Sequence, residues 1–322
     1  MSVDPDEFDL IVNTWAAAQA DRRSHPRAHS GPRGSKTEDE NQEPTPGDKD
    51  PGSDLVGIAV DGKALRGAKR ADGTQVQLLA ALRHDTAMVI GQRNVDNDKT
   101  NEIRAFAPLL GGVRLTGRVV TADALHTQRD AATFVVARGG HFVLGVKENQ
   151  PKLWDAAIDA AEGVDIDKAQ HETCRRAHGR IDRHRIWTVR VPESVTFPHA
   201  RTFIIVERES STLGDVRTSI ETRYYVTDLT PAQASPKHLL RLVRGHWSIE
   251  SLHWVRDMTF DEDRSQVRTG TLPRVLATLR NLAISAIRYA SSRSVNVAAA
   301  TRQLAREPDR ALDLLGVPRL CK

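Results

Sequence analysis

The order of strand-like and helix-like segments between residues 55 and 146 constrains the fold more than any other feature of the chain. Three short apolar runs come first and are typical of strands in an antiparallel meander. A helical pattern, a strand, a second helix and a further strand then follow. This pattern predicts a compact α/β domain. In chain order the segments are 56–61, 75–81, 87–92, 99–110, 118–123, 127–138 and 141–146.

This order of elements is that of the ribonuclease-H-like fold, in which the first and fourth strands are neighbours. Each of those two segments ends in an aspartate, Asp61 or Asp123. Neighbouring strand ends would bring the two carboxylates together although they are 62 positions apart. Taken alone, Asp61 before Gly62 also fits an ordinary turn after a strand. A carboxylate that closes an apolar run, as Asp123 does, is harder to explain structurally.

A third acidic residue lies among histidines, tryptophans and an arginine late in the chain. Ser235 and Pro236 predict the start of a helix that carries Glu250. An exposed helix face is one alternative interpretation of this segment. A di-iron site is another, because Glu250 begins a Glu-x-x-His motif, but the sequence has no second copy of that motif. At helical spacing, one face would hold His246, Glu250, His253, Trp254 and Asp257.

Two strand-end aspartates and a helical glutamate are the ligand set that a two-metal phosphoryl-transfer site needs. Three carboxylates can hold a pair of Mg²⁺ ions, which activate a water or a 3′-hydroxyl and stabilise the leaving oxygen. We therefore predict that Asp61, Asp123 and Glu250 are both catalytic and metal-binding, with Mn²⁺ as a substitute metal. Supporting roles are predicted for His126, His246, Trp247, His253 and Asp257.

Basic residues cluster near the predicted site and favour a polyanionic partner. The whole chain has a net charge of only +4, but residues 264–322 carry eleven basic residues and three acidic ones. A basic segment of this kind can neutralise DNA phosphates, although a solvated helix surface explains the charge equally well. The residues predicted to contact double-stranded DNA are Lys63, Arg66, Lys147, Arg241 and Arg244.

Changes in composition divide the chain into four parts. Residues 1–20 are expected to be the remnant of an N-terminal helical region, and residues 21–54 have the composition of a disordered linker. The apolar face predicted for that first helix consists of Phe8, Ile11, Val12, Trp15 and Ala18. Residues 55–290 form the predicted catalytic domain, with a mostly β insertion at about 170–230, before the glutamate helix. Its last predicted helix spans 272–290 and has an apolar stripe of Leu272, Val275, Leu276, Leu279, Leu282, Ala283 and Ile287. Residues 291–322 form a basic C-terminal tail.

Cysteine usage and hydropathy indicate the cellular compartment. The two cysteines, Cys174 and Cys321, are far apart and form no CxxC motif, which fits a reducing cytosol. The sequence has no apolar run near the roughly 20 residues needed to span a bilayer. We expect a cytoplasmic protein that joins the bacterial nucleoid when it binds DNA, and no membrane partner.

Several short motifs in a fixed order resemble the DDE transposases of bacterial insertion sequences, in the subgroup of H-repeat-associated proteins. The resemblance covers residues 55 to about 318. It implies Mg²⁺-dependent cleavage at the terminal inverted repeats of an element, strand transfer into target DNA, and a homodimer when two ends are bound. The matching segments are 59–67, 121–128, 147–150, 178–180, 224–225, 244–250, 260–263 and 280–284.

Two departures from the family pattern bear on activity. The family carries a longer N-terminal helical region, and its Ile-Glu-Asn-x-Leu-His-Trp motif is one residue shorter here, at 249–254. A one-residue deletion rotates the following helical residues by about 100°. A truncated, inactive relic that binds DNA without cutting is therefore the second hypothesis, and a ribonuclease-H-like nuclease unrelated to transposition is the third.

Overall fold

The computed structural model describes residues 4–24, 50–69, 73–95, 99–177, 179–212, 218–291 and 295–315. Most of the predicted linker, residues 25–49, lies outside this part, and so does the end of the predicted tail, residues 316–322. Residues 21–24 belong to the first helix. None of the helices formed by the described residues is long and apolar enough to cross a membrane.

Within the described residues, nine strands form one mixed sheet, and helices pack against it. The strands are β1 (Val56–Lys69), β2 (Gln75–Arg83), β3 (Val89–Val95), β4 (Arg118–Ala122), β5 (His141–Val146), β6 (His171–Ala177), β7 (Arg180–Arg190), β8 (Thr202–Thr212) and β9 (Thr218–Thr227). The helices are α1 (Pro5–Ser24), α2 (Lys99–Leu110), α3 (Arg129–Ala137), α4 (Pro151–Glu162), α5 (Pro236–His246), α6 (Ser248–Phe260), α7 (Leu272–Ala290), α8 (Val297–Arg306) and α9 (Pro308–Leu315). The order across the sheet is β3-β2-β1-β4-β5-β9-β8-β7-β6.

The predicted neighbour relation between the first and fourth strands is confirmed. β1 runs parallel to β4, and the last pair in their register is Val60 with Ala122. Asp61 and Asp123 are therefore the next residues on two adjacent strands. The segments that pair, 57–60 on β1 and 119–122 on β4, are buried, as is usual for parallel strands that are covered on both faces.

The first strand does not end at Asp61, contrary to the prediction. β1 continues to Lys69, and Asp61 pairs with Ala80 on β2. The turn interpretation of Asp61 and Gly62 is therefore wrong. The continued hairpin with β2 satisfies the backbone groups beyond the point where the parallel partner stops.

The β-rich middle of the chain continues the same sheet. β6 to β9 are antiparallel neighbours, and β9 pairs with β5 through Val143 and Thr227.

The predicted helix start at Ser235 and Pro236 is confirmed. The side chain of Ser235 caps α5 by accepting a hydrogen bond from the backbone N–H of His238 at 3.1 Å.

One continuous helix from Pro236 through Glu250 was expected, and the structure shows two. α5 ends at His246, Trp247 lies between, and α6 begins at Ser248. His246 and Glu250 are therefore on different helices and cannot share a helix face. Trp254 is 63% exposed, whereas the side chain of the neighbouring His253 is mostly buried beside Asp61, so these two residues do not share a face either.

The N-terminal helix is part of the folded body. Val12, Ala16 and Ala20 of α1 are buried, and α1 packs on β3 and α7. The face that the sequence predicted is different, because Ile11 is exposed while small residues make the contact. Small residues allow close approach to α7, where Arg274 Nε donates to Asp9 Oδ2 at 2.7 Å.

The inner face of α7 is more polar than its leucine stripe predicted. Leu272 and Leu279 are exposed, whereas Thr278 and Asn281 are buried. Gln92 on β3 explains this choice: its Nε2 donates to Thr278 at 2.8 Å, and its Oε1 accepts from Asn281 at 2.7 Å. A satisfied buried network of this kind fixes one orientation of the helix.

Part of the predicted tail is helical. α8 packs against α6 and α7 through residues that include Val297, Ala300 and Leu304. Asn296 caps α8 by accepting from the backbone N–H of Ala299 at 3.0 Å.

Candidate active site

Two aspartates lie together at the sheet edge where β1 and β4 separate. The pKa of Asp61 is raised to about 7. Burial is the largest cause, followed by the nearby charge of Asp123, and the charge of Glu102 contributes less. Asp123 is exposed, and its Oδ1 accepts a hydrogen bond from the backbone N–H of Leu125 at 3.1 Å. The 3₁₀ turn Ala124–His126 that Asp123 caps fixes the direction of its side chain.

Two predicted histidines border the aspartates, and both are neutral near pH 7. His253 Nδ1 lies 3.5 Å from Asp61 Oδ2, but burial, Arg256 and Lys63 lower the pKa of His253 to about 3. Burial also lowers the pKa of His246 to about 4. Neither ring therefore supplies the positive charge that the two carboxylates lack.

A hydrogen-bonded chain holds His246 in place. Its Nδ1 lies 3.1 Å from Thr121 Oγ1, and the same hydroxyl lies 3.1 Å from His84 Nε2. The His84 ring in turn fills the space beside Gly57 and Gly245, where an added Cβ would lie 2.1 and 2.2 Å from its Nδ1. Residues on β1, β4 and α5 thus fix one ring next to the aspartates.

Glu250 lies in the first turn of α6 and is exposed. Burial raises the pKa of Tyr225, and the charges of Glu221 and Glu250 add to that rise. Tyr225 pairs with Gly145 on β5, and Gly145 packs against the backbone of Asp123. Glu250 is therefore near Tyr225 on β9, a strand that pairs with β5. Even so, no three acidic, histidine or cysteine side chains of the described residues are grouped closely enough to hold a metal ion.

The chemistry of this edge nevertheless fits a divalent cation. Oxygen ligands suit Mg²⁺ and Mn²⁺, and the carboxylate of Asp123 lies close enough to Asp61 to disfavour the charge of Asp61. His246 and His253 are neutral near pH 7, so a bound cation would add positive charge at this edge.

Side chains from the loop after β5 hold the segment that follows Asp123. Asn149 Nδ2 donates to the carbonyl oxygen of Ala124 at 2.6 Å, and Gln150 Nε2 donates to that of Thr127 at 2.9 Å. The hydroxyl of Thr127 donates to the carbonyl of Gly145. These contacts give a structural reason for two of the short motifs that carry the family resemblance.

Sequence reasoning missed Glu102, which the structure places beside this edge. Its Oε1 lies 3.3 Å from Nε2 of His126, a predicted supporting residue that is only 1% exposed. The only signal in the sequence was an acidic residue in the first turn of α2, and the helix dipole explains such residues without any function. Only the packing of α2 shows that the side chain turns toward Gly62 and His126.

Two of the predicted DNA contacts follow Asp61 on β1. Lys63 Nζ lies 2.7 Å from Asp257 and 3.4 Å from Asp263, so its charge is paired within the protein. Asp257, a predicted supporting residue, thereby holds α6 against β1. Arg66 is exposed and lies 3.5 Å from Asp263.

Arg241 and Arg244 line a basic cleft of about 950 Å³ on the α5 side of the sheet. Arg241 donates to His238 Nδ1 at 2.8 Å, and Arg244 donates to Thr173 at 3.2 Å. Lys147 lies elsewhere, exposed after β5. The charged residues that line the basic cleft are Arg175, Arg208, Lys237, Arg241, Arg244 and Arg288, with Asp50, Asp85 and Asp182.

Trp247 also lines the basic cleft, and Glu250 follows it three residues later in the sequence. The guanidinium groups of Arg208 and Arg223 lie 5.3 and 5.2 Å from its ring centre. Cation–π contacts of this kind hold two positive charges around one aromatic ring. His184 also lines the cleft, and burial together with Arg244 and Arg208 lowers its pKa to about 4.

Comparison with known proteins agrees with this geometry. A model of the transposase DDE domain matches residues 52–286. Two relatives from Escherichia coli K12, named "Putative protein YbfL" and "H repeat-associated putative transposase YhhI", are each 27% identical over 241 residues, covering 71% of this chain and 63% of the relative. "Putative transposase YncI" of Escherichia coli O157:H7 is 28% identical over 250 residues, covering 72% of this chain and 61% of the relative.

The chain thus spans a little under two thirds of the length of these relatives. A solved piggyBac transposase synaptic complex with hairpin DNA aligns with a TM-score of 0.41 and 10% identity, covering 77% of this chain and 51% of that one. That likeness is too low to add to the argument. The family model, which covers most of the chain, and the named relatives decide the assignment: the chain belongs to the family of transposase DDE domains, in the H-repeat-associated group.

Proposed function

We propose that this chain carries out metal-dependent DNA cleavage at the ends of a mobile element and joins those ends to target DNA. The observation that carries this proposal is the pair of Asp61 and Asp123 at the ends of the paired parallel segments of two adjacent strands, where His246 and His253 are neutral near pH 7. We further propose that the domain has the ribonuclease-H-like fold, with β6 to β9 as its insertion before the glutamate helix.

In this proposal Asp61, Asp123 and Glu250 hold Mg²⁺, with Mn²⁺ as a substitute. When bound, two such ions activate the attacking oxygen and stabilise the leaving oxygen of an in-line displacement. His253, neutral beside Asp61, leaves the carboxylate free of a competing positive charge. Glu250, exposed in the first turn of α6, would complete this ligand set.

The basic cleft is the proposed path of double-stranded DNA toward this edge. Arg241 and Arg244 would contact phosphates, and exposed Arg66 and Lys147 would extend the contact beyond the cleft. Lys63 is left out, because two aspartates already pair its charge. The proposed substrates are terminal inverted repeats and target DNA in the bacterial cytoplasm, with a homodimer joining two ends.

The first test compares the wild type with Asp123→Asn on a labelled duplex that carries the flanking inverted repeat, in Mg²⁺. We expect a nick at the repeat boundary, reduced at least about a hundredfold in the variant, because a metal ligand is worth several kcal/mol of transition-state stabilisation. Asp130→Asn, an exposed aspartate on α3, is the matched control and should cut normally. Equal cutting by all three proteins would contradict the proposal.

A second candidate function is binding of element ends without cutting. The observation that favours it is the exposed position of Glu250, outside any assembled group of metal-binding side chains in the described residues. Gel-shift assays on the same duplex distinguish the two. Salt-sensitive binding with no nick, while a full-length relative cuts in parallel, would support this second function.

A further inference from the structure

One face of β1 and β4 carries both aspartates of the candidate site. Side chains on a strand alternate between the two faces of a sheet. Val119 of β4 packs in a cluster with residues of α5, and Ala59 of β1 packs in a cluster with residues of α6. Thr121 and Asp123 follow Val119 in steps of two along extended backbone, and Asp61 follows Ala59 in the same way. Their side chains are therefore directed to the face on which α5 and α6 pack.

Thr121 joins two histidines on this face. Its Oγ1 lies 3.1 Å from Nδ1 of His246, the last residue of α5, and 3.1 Å from Nε2 of His84. The same hydroxyl donates to the carbonyl oxygen of Ile58 at 3.5 Å. A hydroxyl has one hydrogen and two lone pairs. Since its hydrogen goes to Ile58, both lone pairs accept ring N–H groups, and His246 carries its proton on Nδ1.

The other ring nitrogen of His246, Nε2, is accessible. Among the described residues it has no hydrogen-bond partner, and it differs from Nε2 of His253, which is buried without one. The His246 ring is neutral near pH 7, so a proton on Nδ1 leaves Nε2 with a lone pair that can only accept. The sheet face that carries Asp61 and Asp123 thus also presents a neutral hydrogen-bond acceptor.

We propose that His246 accepts, at Nε2, a hydrogen bond from the oxygen that attacks phosphorus, which is a water in cutting and the 3′-hydroxyl in joining. Thr121 and His84 act as positioning residues, because they hold the proton of His246 on Nδ1. The hydrogen bond turns a lone pair of the attacking oxygen toward phosphorus. The inference rests on the proposed transposase function and deepens it by naming the group that orients the nucleophile.

NMR of the metal-free protein with ¹⁵N-labelled histidines measures the tautomer, because protonated and unprotonated ring nitrogens give separate signals. We expect His246, assigned by the signals lost in His246→Gln, to carry its proton on Nδ1. Thr121→Val should shift His246 toward the Nε2–H form, whereas Thr121→Ser should keep the wild-type pattern. Thr301→Val, which removes a hydroxyl that donates to Val297 within α8, is the matched control. A wild-type His246 with its proton on Nε2 would overturn the inference.

Single-turnover cutting of the inverted-repeat duplex in Mg²⁺ tests the role of the acceptor, with rates compared per folded protein. At saturating DNA, we expect Thr121→Val and His246→Leu to cut at least about tenfold more slowly than the wild type, with unchanged affinity for the duplex. Thr121→Ser should cut faster than Thr121→Val. His246→Gln, whose amide oxygen can accept at about the position of Nε2, should cut faster than His246→Leu.

A structural role alone predicts a different result, in which Thr121→Val and His246→Leu unfold at lower temperature but cut as fast as the wild type. That result would overturn the inference, while loss of cutting in Asp123→Asn would leave the proposed function standing. A wild type that cuts no DNA would sink both.

Discussion

At the scale of the residue, the most informative group is Asp61, because its charge is disfavoured in the folded chain. Burial comes first among the causes, and the charge of Asp123 follows. His246 and His253 are neutral near pH 7, and the backbone hydrogen bond from Gly62 and the charge of His126 offset the rise only in part. A bound cation would stabilise the charged form of Asp61, and its removal would again disfavour that form.

This repulsion predicts a pH-dependent stability in metal-free buffer. The pKa of Asp61 is about 7 in the folded chain against an ordinary 3.8, so the folded state holds the extra proton between pH 4 and pH 7. Stability from this group is therefore present at low pH and is lost as the pH rises through 7. Asp61→Asn should match the wild type near pH 4 and exceed it near pH 8 by at most about 4 kcal/mol.

Urea unfolding in EDTA from pH 4 to pH 8 measures this difference. Asp159→Asn, an exposed aspartate on α4, serves as the matched control and should track the wild type at every pH. Parallel pH profiles for Asp61→Asn and the wild type would show that Asp61 titrates normally.

Residue-level prediction from sequence succeeded where a residue's neighbours are set by regular structure. Asp61 and Asp123 were predicted to be close because strand order alone makes them adjacent, and the register of Val60 with Ala122 confirms this. Glu102 was missed because its direction depends on how α2 packs. The roles assigned to Glu250 and to the other site residues stay predictions.

At the scale of the element, the turn after α6 shows how a short acidic motif can be structural. Arg256 is fully buried, and its guanidinium donates to both carboxylate oxygens of Glu262 at 2.8 and 2.9 Å. Arg280 of α7 adds a contact at 3.3 Å. The segment after α6 is therefore locked to two helices, which places Asp263 beside Lys63.

We expect Arg256→Met to lower the free energy of unfolding by about 3 kcal/mol or more, since it leaves Glu262 buried with less compensation. Arg264→Met removes an exposed ion pair with Asp261 and should change stability by less than about 1 kcal/mol. Chemical denaturation of both variants measures the contrast. Equal losses would mean that the buried pair adds no more than the exposed one.

Helices and strands with a clear apolar period were found at their predicted bounds, such as α2, α7 and β5. The break at Trp247 was not foreseen, because the apolar pattern continues across it and a single glycine, Gly245, is also tolerated inside helices. The cause is tertiary: the His84 ring packs on Gly245, and His246 turns toward Thr121 on β4. Two contacts made by other elements thus override the local helical preference.

At the scale of the whole molecule, α1 unites the two ends of the described chain. It packs on β3 and α7, and Arg274 of α7 holds Asp9. A helix from the N-terminal part therefore belongs to the same folding unit as the sheet. Its stability should be coupled to that of the site.

Two matched aspartate substitutions on α1 test this coupling. Ala16→Asp buries a charge against the core, where Ala16 is 1% exposed, and should lower the free energy of unfolding by several kcal/mol, on the order of 3. Ala18→Asp makes the same change on the exposed face and should cost less than about 1 kcal/mol. Thermal unfolding of both variants decides, and a tolerated Ala16→Asp would mean that α1 is detachable.

The sequence by itself determined the order of elements, the adjacency of the two aspartates and the family, because these follow from hydrophobic period, strand topology and short motifs. Tertiary structure alone decided which charges remain available. It pairs Lys63 with Asp257, turns Glu102 toward His126, leaves Glu250 exposed and gathers Arg241 and Arg244 in the basic cleft. The physical reason is that the protonation state of an ionisable group, and whether it is paired, depend on its surroundings, which residues distant in sequence supply.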